Sequence, residues 1–374
     1  MSNVSDPGGT GRYPRFGIEE EFFLLDPADG RNIPVAASVI ESLPPGSRAR
    51  AKPEFLASQL EHATTICESA AQARQQLLEF RVDLATAARA AGAVAAGVGT
   101  PFRVDEPPVL AAGTRYAELA ARHATLIGGH QLAALHVHVE VPDPEAGVAA
   151  LRCLAGWLPF LKTITGNSPW WGGHDTGFAS WRAVQLRRWT TGGCPPPVTS
   201  ADEYATRAAA LVGIGGTRDI ATVAWDVRLS PRYPTVELRV ADSQLTADDA
   251  LLIALIARGL VSAAITRPNE VPPFDPELID AACWHAARFG LADGVVAPGG
   301  SALVSISDAI RHLMETLDCS DDELHHVDRG IHRLLESGTG AERQRAAAGG
   351  GWNTLGPYLA AALVADRVVD TVVH

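Results

Sequence analysis

The sequence predicts an α+β protein, with a β-sheet followed by a mainly helical region. Up to about residue 245, several segments alternate apolar and ionisable residues with period two, as strands with one buried face do. Beyond Thr246 the pattern is mostly helical. We expect a flexible N-terminus over residues 1–14 and one catalytic domain over 15–374. In that domain, the sheet-forming region spans about 15–245 and the helical region about 246–366.

The first predicted strand, Arg15 to Asp26, carries paired carboxylates. Alternation places Glu19 and Glu21 on the face opposite Ile18 and its apolar neighbours. Such close carboxylates repel each other unless a cation lies between them, and Mg²⁺ or Mn²⁺ suits oxygen ligands. Glu20 falls on the apolar face, where it requires a bulge or a partner. An isolated pair of this kind is more often a solvated acidic patch, so the metal interpretation depends on the other strands.

Glu54 and Glu61 add two carboxylates within the segment from Lys52 to His62. They are seven residues apart, so a helix would align them on one face, whereas a regular strand would put them on opposite faces. The spacing alone leaves both structures open.

A second alternating strand, Leu135 to Val141, has an aliphatic face and a polar face. His136, His138 and Glu140 share the polar face. Imidazole and carboxylate groups both bind divalent metals. We interpret His136 as a packed or supporting histidine and leave it out of the predicted ligands.

Ala224 to Leu229 and Thr235 to Val240 are predicted to form an antiparallel hairpin, joined by a turn that contains proline. Their polar faces carry Asp226, Arg228, Glu237 and Arg239. Carboxylate-held magnesium beside arginine is what phosphoryl transfer requires. The sequence contains neither a Walker A motif nor G-x-G-x-x-G, so an ATP site would have to be carried by the sheet.

The composition excludes several other classes of protein. The chain has 374 residues, of which 47% are hydrophobic and 20% are charged, as in globular proteins with a substantial core. Its net charge of -12 argues against general attraction to nucleic acid. The five cysteines are scattered and the first residues are polar, so we expect reduced thiols, no membrane insertion and a cytoplasmic location.

Four groups of residues, in order, resemble the type 2 glutamate-cysteine ligase family, also called carboxylate-amine ligases of the YbdK type. They are Phe16 to Leu25, His136 to Val139, Asn167 to Pro169 with Asp175 to Arg182, and Thr235 to Arg239. The resemblance extends from about Phe16 to Arg345, nearly the whole chain. The opening strand is also similar to the metal-binding strand of glutamine synthetase.

The resemblance implies a catalytic domain like that of glutamine synthetase and the guanido kinases. Its sheet would be curved and mainly antiparallel, forming an open half-barrel with helices packed outside. By this resemblance, one Mg²⁺ or Mn²⁺ is held by Glu21 and Glu61, with Glu54 as a further candidate, and another by Glu19, His138 and Glu237. The implied catalytic residues are Glu19, Glu237 and Arg239. The implied substrate- or nucleotide-binding residues are Arg182, Arg228, Arg239, Asn167 and Ser168.

The implied reaction is ATP-dependent ligation of a carboxylate to an amine. The γ-carboxylate of glutamate attacks the γ-phosphorus of ATP, and an amine captures the acyl phosphate to give an amide, ADP and phosphate. The implied partners are ATP, an amino-acid carboxylate and an amine, and a homodimer is compatible with the sequence. Two positions depart from the family pattern: Glu140 replaces a usual glycine, and His174 replaces a common arginine.

Three other functions fit parts of the same pattern. A metal-dependent hydrolase would use the histidines and acids without ATP, but it gives Arg239 no task. A guanidino phosphotransferase would make a phosphorylated guanidine and no amide. A non-catalytic nucleotide-binding protein would bind metal and nucleotide without releasing ADP.

Overall fold

A computed structural model describes residues 13–104 and 107–367. Most of the predicted flexible N-terminus, up to residue 12, lies outside these ranges. From Tyr13 onward the chain is anchored, because the Tyr13 hydroxyl donates to the Cys319 carbonyl at 3.0 Å and Arg258 Nε donates to the Pro14 carbonyl at 2.7 Å.

An open antiparallel sheet forms the centre of the fold, as predicted. The strands are β1 (Phe16–Leu25), β2 (Ala51–Pro53), β3 (Gln59–Ala63), β4 (Val94–Ala96), β5 (Ala134–Glu140), β6 (Trp170–Trp171), β7 (His174–Asp175), β8 (Val227–Leu229), β9 (Thr235–Asp242), β10 (Val295–Val296) and β11 (Leu303–Val304). The main sheet has the order β2-β3-β1-β5-β9-β8, and β4 pairs with the end of β1. The sheet is open because β2 and β8 form its two edges. β6–β7 and β10–β11 are separate small hairpins.

Helices pack around this sheet and dominate the second half of the chain. They are α1 (Ala36–Ser42), α2 (Pro45–Arg48), α3 (Ala70–Ala90), α4 (Thr114–His123), α5 (Pro144–Thr165), α6 (Trp181–Leu186), α7 (Ala201–Gly213), α8 (Ala247–Thr266), α9 (Pro276–Phe289), α10 (Ile306–Thr316), α11 (Asp321–Ser337), α12 (Gly340–Ala347) and α13 (Trp352–Ala362). Side-chain caps fix several starts. The Ser69 and Thr246 hydroxyls accept hydrogen bonds from the Gln72 and Asp249 backbone N–H groups.

The longest apolar helices are core helices. α5 and α8 are long and apolar enough to cross a membrane, but 89% of the most apolar window of each is buried inside the protein. Both belong to the main core, together with Ile18, Val137 and Leu238 from the sheet. Burying these helices therefore covers the apolar face of the sheet.

The two faces of β1 have different surroundings along its length. Phe22 and Leu24 pack into a cluster with Phe80 of α3. Alternation puts Phe23 and Leu25 on the opposite face, in line with Glu19 and Glu21. Phe23 and Leu25 pack into a second cluster, together with Phe55 and Trp352. The acidic face of β1 therefore continues into an apolar cluster at the C-terminal end of the strand.

Glu20, which the sequence left unexplained on the apolar face, is paired with a guanidinium group. Arg81 of α3 contacts its carboxylate through Nη2 at 2.5 Å and Nε at 3.3 Å, and both side chains are fully buried. Arg81 also donates to the backbone carbonyls of Leu245 at 2.9 Å and Gln244 at 3.0 Å. The pair thus ties α3 and the segment before α8 to the centre of the sheet.

We predict that Arg81→Leu lowers the free energy of unfolding by about 3–5 kcal/mol, because it leaves the Glu20 carboxylate buried without a partner. Urea denaturation measures this change. The control is Arg311→Ala, which removes the exposed pair with Asp308 and should leave the midpoint unchanged. Equal effects of the two variants would contradict the importance of the buried pair.

Candidate active site

Strand register brings the predicted acidic and imidazole groups together on one face. On β1, Glu19 lies opposite His136 of β5, and Glu21 lies opposite Glu61 of β3. On β9, Glu237 lies opposite His138 of β5 on one side and Arg228 of β8 on the other. The pairing order of the sheet therefore assembles a site from residues far apart in the sequence.

The first cluster consists of Glu19, His136 and Glu237, which offer ligand atoms that all lie within 4.8 Å of one another. His136 Nδ1 is 3.5 Å from Glu19 Oε2. His138 Nε2 lies beside the cluster, 3.6 Å from Glu19 and 4.0 Å from Glu237. The structure thus adds His136, which the sequence interpretation left out, to the predicted group of Glu19, His138 and Glu237. Only the register of β1 against β5 reveals this proximity.

The second cluster consists of Glu21, Glu54 and Glu61, also with ligand atoms within 4.8 Å of one another. The Ala134 backbone N–H donates to Glu21 Oε2 at 2.8 Å, and Lys52 Nζ lies 2.8 Å from Glu61 Oε1. Neither a continuous helix nor a regular strand aligns Glu54 with Glu61. Instead the chain reverses between β2 and β3, and the Glu54 backbone N–H donates to the Gln59 carbonyl at 3.2 Å.

Electrostatics make the second cluster costly without a cation. Burial and the neighbouring Glu61 carboxylate raise the pKa of Glu21 to about 7. Burial and the Glu21 carboxylate raise the pKa of Glu54 well above its usual range. Closely spaced carboxylate oxygens are the ligands that Mg²⁺ and Mn²⁺ prefer, so this donor set fits such a cation.

Glu237 is held ionised between two guanidinium groups. Arg228 donates to its carboxylate from Nε at 2.8 Å and Nη2 at 3.2 Å, and Arg239 Nη1 also contacts it. Burial alone would raise the pKa of Glu237, but Arg239 and Arg228 outweigh burial and hold that pKa below its usual range.

The two arginines differ in the donors that remain for a ligand. Arg228 Nη1 donates to the carbonyls of Ala221 and Val223, both at 2.7 Å, in addition to its bonds to Glu237. Its side chain is 9% exposed, whereas that of Arg239 is 22% exposed. Arg239 is therefore better placed to meet a ligand, and Arg228 orients Glu237.

Three other residues predicted to bind substrate or nucleotide form hydrogen bonds with groups inside the protein. Asn167 and Ser168 are fully buried. Asn167 Nδ2 donates to the carbonyls of Gly97 and Ser243, and the Ser168 hydroxyl donates to Asp242 at 2.7 Å. These bonds would have to break before a ligand could reach either side chain.

Arg182 is likewise buried, and its guanidinium group donates to the carbonyls of Val240 at 3.3 Å and Arg239 at 3.1 Å. Its Nη1 also lies 3.7 Å from Asp242 Oδ1. In this arrangement Arg182 supports the backbone that presents Arg239.

The two departures from the family pattern lie outside the clusters. Glu140 is paired with Arg15, whose Nε donates to it at 2.9 Å. The Arg15 guanidinium therefore compensates the charge of Glu140. His174 is exposed in the small β6–β7 hairpin.

Comparison with known proteins matches almost the whole chain. The sequence model of glutamate-cysteine ligase family 2 matches residues 15–354. A relative from Saccharopolyspora erythraea with the provisional name glutamate–cysteine ligase 2-2 is 38% identical over 363 residues, covering 94% of this chain and 93% of the relative. A Rhodococcus jostii relative, provisionally named glutamate–cysteine ligase 2-1, is 34% identical and covers 90% of this chain and 92% of its own.

Solved structures share the fold at low sequence identity. A glutamate–cysteine ligase from Francisella tularensis, solved in complex with AMP, has a TM-score of 0.70 at 12% identity, covering 95% of this chain and 89% of that one. A bifunctional glutathione synthetase from Pasteurella multocida has a TM-score of 0.68 at 15% identity, covering 95% of this chain and 52% of that one.

We predict that, in excess EDTA, the contribution of Glu21 to the free energy of unfolding falls as the pH rises from about 5 to about 7. Folded Glu21 keeps its proton up to a pKa of about 7, whereas the unfolded chain releases it near 4.5. At this carboxyl the folded state therefore binds more protons in this window, and raising the pH lowers the contribution of Glu21 to stability by an amount on the order of 3 kcal/mol.

Urea denaturation at a series of pH values measures this contribution as the difference between the unsubstituted protein and Glu21→Gln. In the metal-free protein, Glu21→Gln should be the more stable by a margin that grows from about pH 5 to about pH 7, while Glu41→Gln, at an exposed position on α1, should follow the unsubstituted protein. A Glu21→Gln curve that runs parallel to the original would show that folding does not raise the pKa of Glu21.

Proposed function

The chain belongs to glutamate-cysteine ligase family 2, and we propose that it activates the γ-carboxylate of glutamate with ATP as an acyl phosphate. Membership of this family makes it an ATP-dependent ligase that joins a carboxylate to an amine through an amide bond. The observation that carries the finer proposal is the line of two ligand clusters and Arg239 on one face of the sheet.

In this proposal the two clusters hold Mg²⁺ or Mn²⁺, which neutralises the phosphates of ATP when bound. Glu19 and Glu237 supply ionised carboxylates to the first cluster. Arg228 fixes the orientation of Glu237 through two hydrogen bonds, so this carboxylate does not need to reorganise during the reaction.

Arg239 has the role of stabilising charge on the transferred phosphoryl group. Its guanidinium group is anchored at one end by Glu237 and remains partly exposed. A planar guanidinium matches phosphoryl oxygens through paired N–H donors. No enzyme nucleophile is needed, because the glutamate carboxylate attacks phosphorus directly and the amine then displaces phosphate from the acyl carbon.

The relatives' names lead us to propose cysteine as the first amine to test. Cysteine, other amino acids and simple amines form a suitable panel.

We predict that ADP forms only when glutamate and an accepted amine are both present with ATP and Mg²⁺. The product mass should equal that of glutamate plus the amine minus water. ADP together with a phosphorylated amine would indicate a guanidino phosphotransferase. Hydrolysis of an amide without ATP would indicate a hydrolase, and nucleotide binding without any ADP would contradict catalysis.

Glu19→Gln should lower the rate of ADP formation at least about a hundredfold, because it removes a fixed charge from the reacting centre. The matched control is Glu140→Gln, on the polar face of β5 but paired with Arg15, which should retain normal turnover. Thermal unfolding checks that both variants are folded. Normal turnover by Glu19→Gln would remove the first cluster from the mechanism.

A further inference from the structure

A group of aromatic and imidazole rings lies next to the second cluster. Phe55 follows Glu54 in the chain and packs with Phe23, which continues the row of Glu19 and Glu21 along β1. The His130 ring contacts Phe55 edge-on, with centroids 5.3 Å apart. This group therefore lies on the catalytic face of the sheet, just beyond Glu54.

The segment that carries His130 is tied to the same place by backbone contacts. It leads directly into β5, where the Ala134 N–H donates to Glu21. Gln59 Nε2 donates to the Leu132 carbonyl at 2.8 Å. His130 is thus held by the two strands that carry Glu21 and Glu61.

Trp189 fixes the tautomer of His130. Its indole Nε1 lies 3.1 Å from His130 Nδ1, and the rings are 4.7 Å apart. An indole nitrogen is a donor only, so His130 Nδ1 must accept this hydrogen bond. The neutral imidazole then carries its proton on Nε2, and in the described part of the chain no acceptor contacts that nitrogen.

The surroundings favour a neutral ring that faces an anionic partner. Enclosure in the protein and the Arg188 guanidinium lower the pKa of His130 to about 3, with smaller contributions from His123 and Arg182. The ring therefore stays neutral at physiological pH and keeps its Nε2–H. The nearby guanidinium groups favour a negatively charged hydrogen-bond acceptor at this point.

We propose that His130 is a substrate-binding residue whose Nε2–H, oriented by the Trp189 indole, donates a hydrogen bond to a carboxylate of the amino-acid substrate beside Glu54. The inference rests on the proposed function. The rings of Phe55 and Tyr116, which are 5.9 Å apart, would pack against the aliphatic part of the same substrate. Trp189 is then a positioning residue, because it acts through His130.

The test uses three variants that separate the hydrogen-bond donor of His130 from the control of its tautomer by Trp189. His130→Leu removes the donor, and His130→Gln restores an amide N–H near the Nε2 position. Trp189→Phe keeps an aromatic ring but removes the indole N–H. Thermal unfolding shows whether each variant is folded.

Binding is measured with glutamate as the probe, in the presence of Mg²⁺ and a non-hydrolysable ATP analogue. We expect His130→Leu to weaken glutamate binding about tenfold to a hundredfold, as for loss of a hydrogen bond to a charged group. His130→Gln should recover most of the affinity, and affinity for the ATP analogue should not change. Unchanged glutamate affinity in His130→Leu would overturn the proposal, and so would equal losses in the leucine and glutamine variants.

Nitrogen-15 NMR of the histidine side chains adds a measurement that would not change on glutamate binding if His130 had only a structural role. The His130 signals, assigned by their loss in His130→Gln, should show the Nε2–H tautomer, a tautomer mixture in Trp189→Phe, and a shift of Nε2 when glutamate binds. An Nδ1–H tautomer, or no shift on binding, would overturn the proposal. Because neither measurement needs turnover, an absence of ADP formation would contradict the ligase reaction without deciding the role of His130.

Discussion

Repulsion among buried carboxylates is the constraint on which the rest of this structure depends. β1 presents Glu19 and Glu21 on one face and is paired on both sides, so neither side chain can move away without disrupting the centre of the sheet. The opposite face offsets this cost through core burial beneath α5 and α8 and through the Glu20–Arg81 pair. The stable fold thus holds the Glu19 and Glu21 carboxylates close together, although their mutual repulsion favours separation.

The two clusters differ in how neighbouring groups compensate the charge of their carboxylates. Histidines and arginines surround the first cluster, and they hold the pKa of Glu19 and Glu237 below the usual range despite burial. The second cluster has Lys52 beside Glu61, and the pKa values of its three carboxylates are raised. The first cluster is therefore ionised in advance, whereas a cation that enters the second must displace protons. Affinity for metal at the second cluster should consequently depend more strongly on pH.

Alternation along single strands was enough to predict much of the site. It placed Glu19 with Glu21, His138 on the polar face, and Glu237 with Arg239, because side-chain direction in a strand follows directly from sequence parity. It also put His136 on the polar face, but it could not show that His136 lies close to Glu19, which depends on register. Nor could it place Glu54, which reaches Glu61 through a reversal of the chain. The tautomer of His130 depends on a residue 59 positions away and has no local signal. Resemblance to the family supplied the open, mainly antiparallel sheet, whereas the strand order β2-β3-β1-β5-β9-β8 comes from the structure alone.

The loop from Asn167 to Arg182 supports the candidate site through polar side chains that bind the end of β9. Its Ser168 and Ser180 hydroxyls both donate to the buried Asp242 carboxylate at the end of β9. Arg182 then donates to the backbone carbonyl of Arg239. Hydrogen bonds from Ser168, Ser180 and Arg182 thus fix the end of β9, from Arg239 to Asp242. A guanidinium group stabilises a transition state effectively only when it is oriented beforehand, because reorientation during the reaction would consume part of the electrostatic gain. In the proposed reaction, the polar residues of this loop would contribute to phosphoryl transfer by fixing the backbone beneath Arg239.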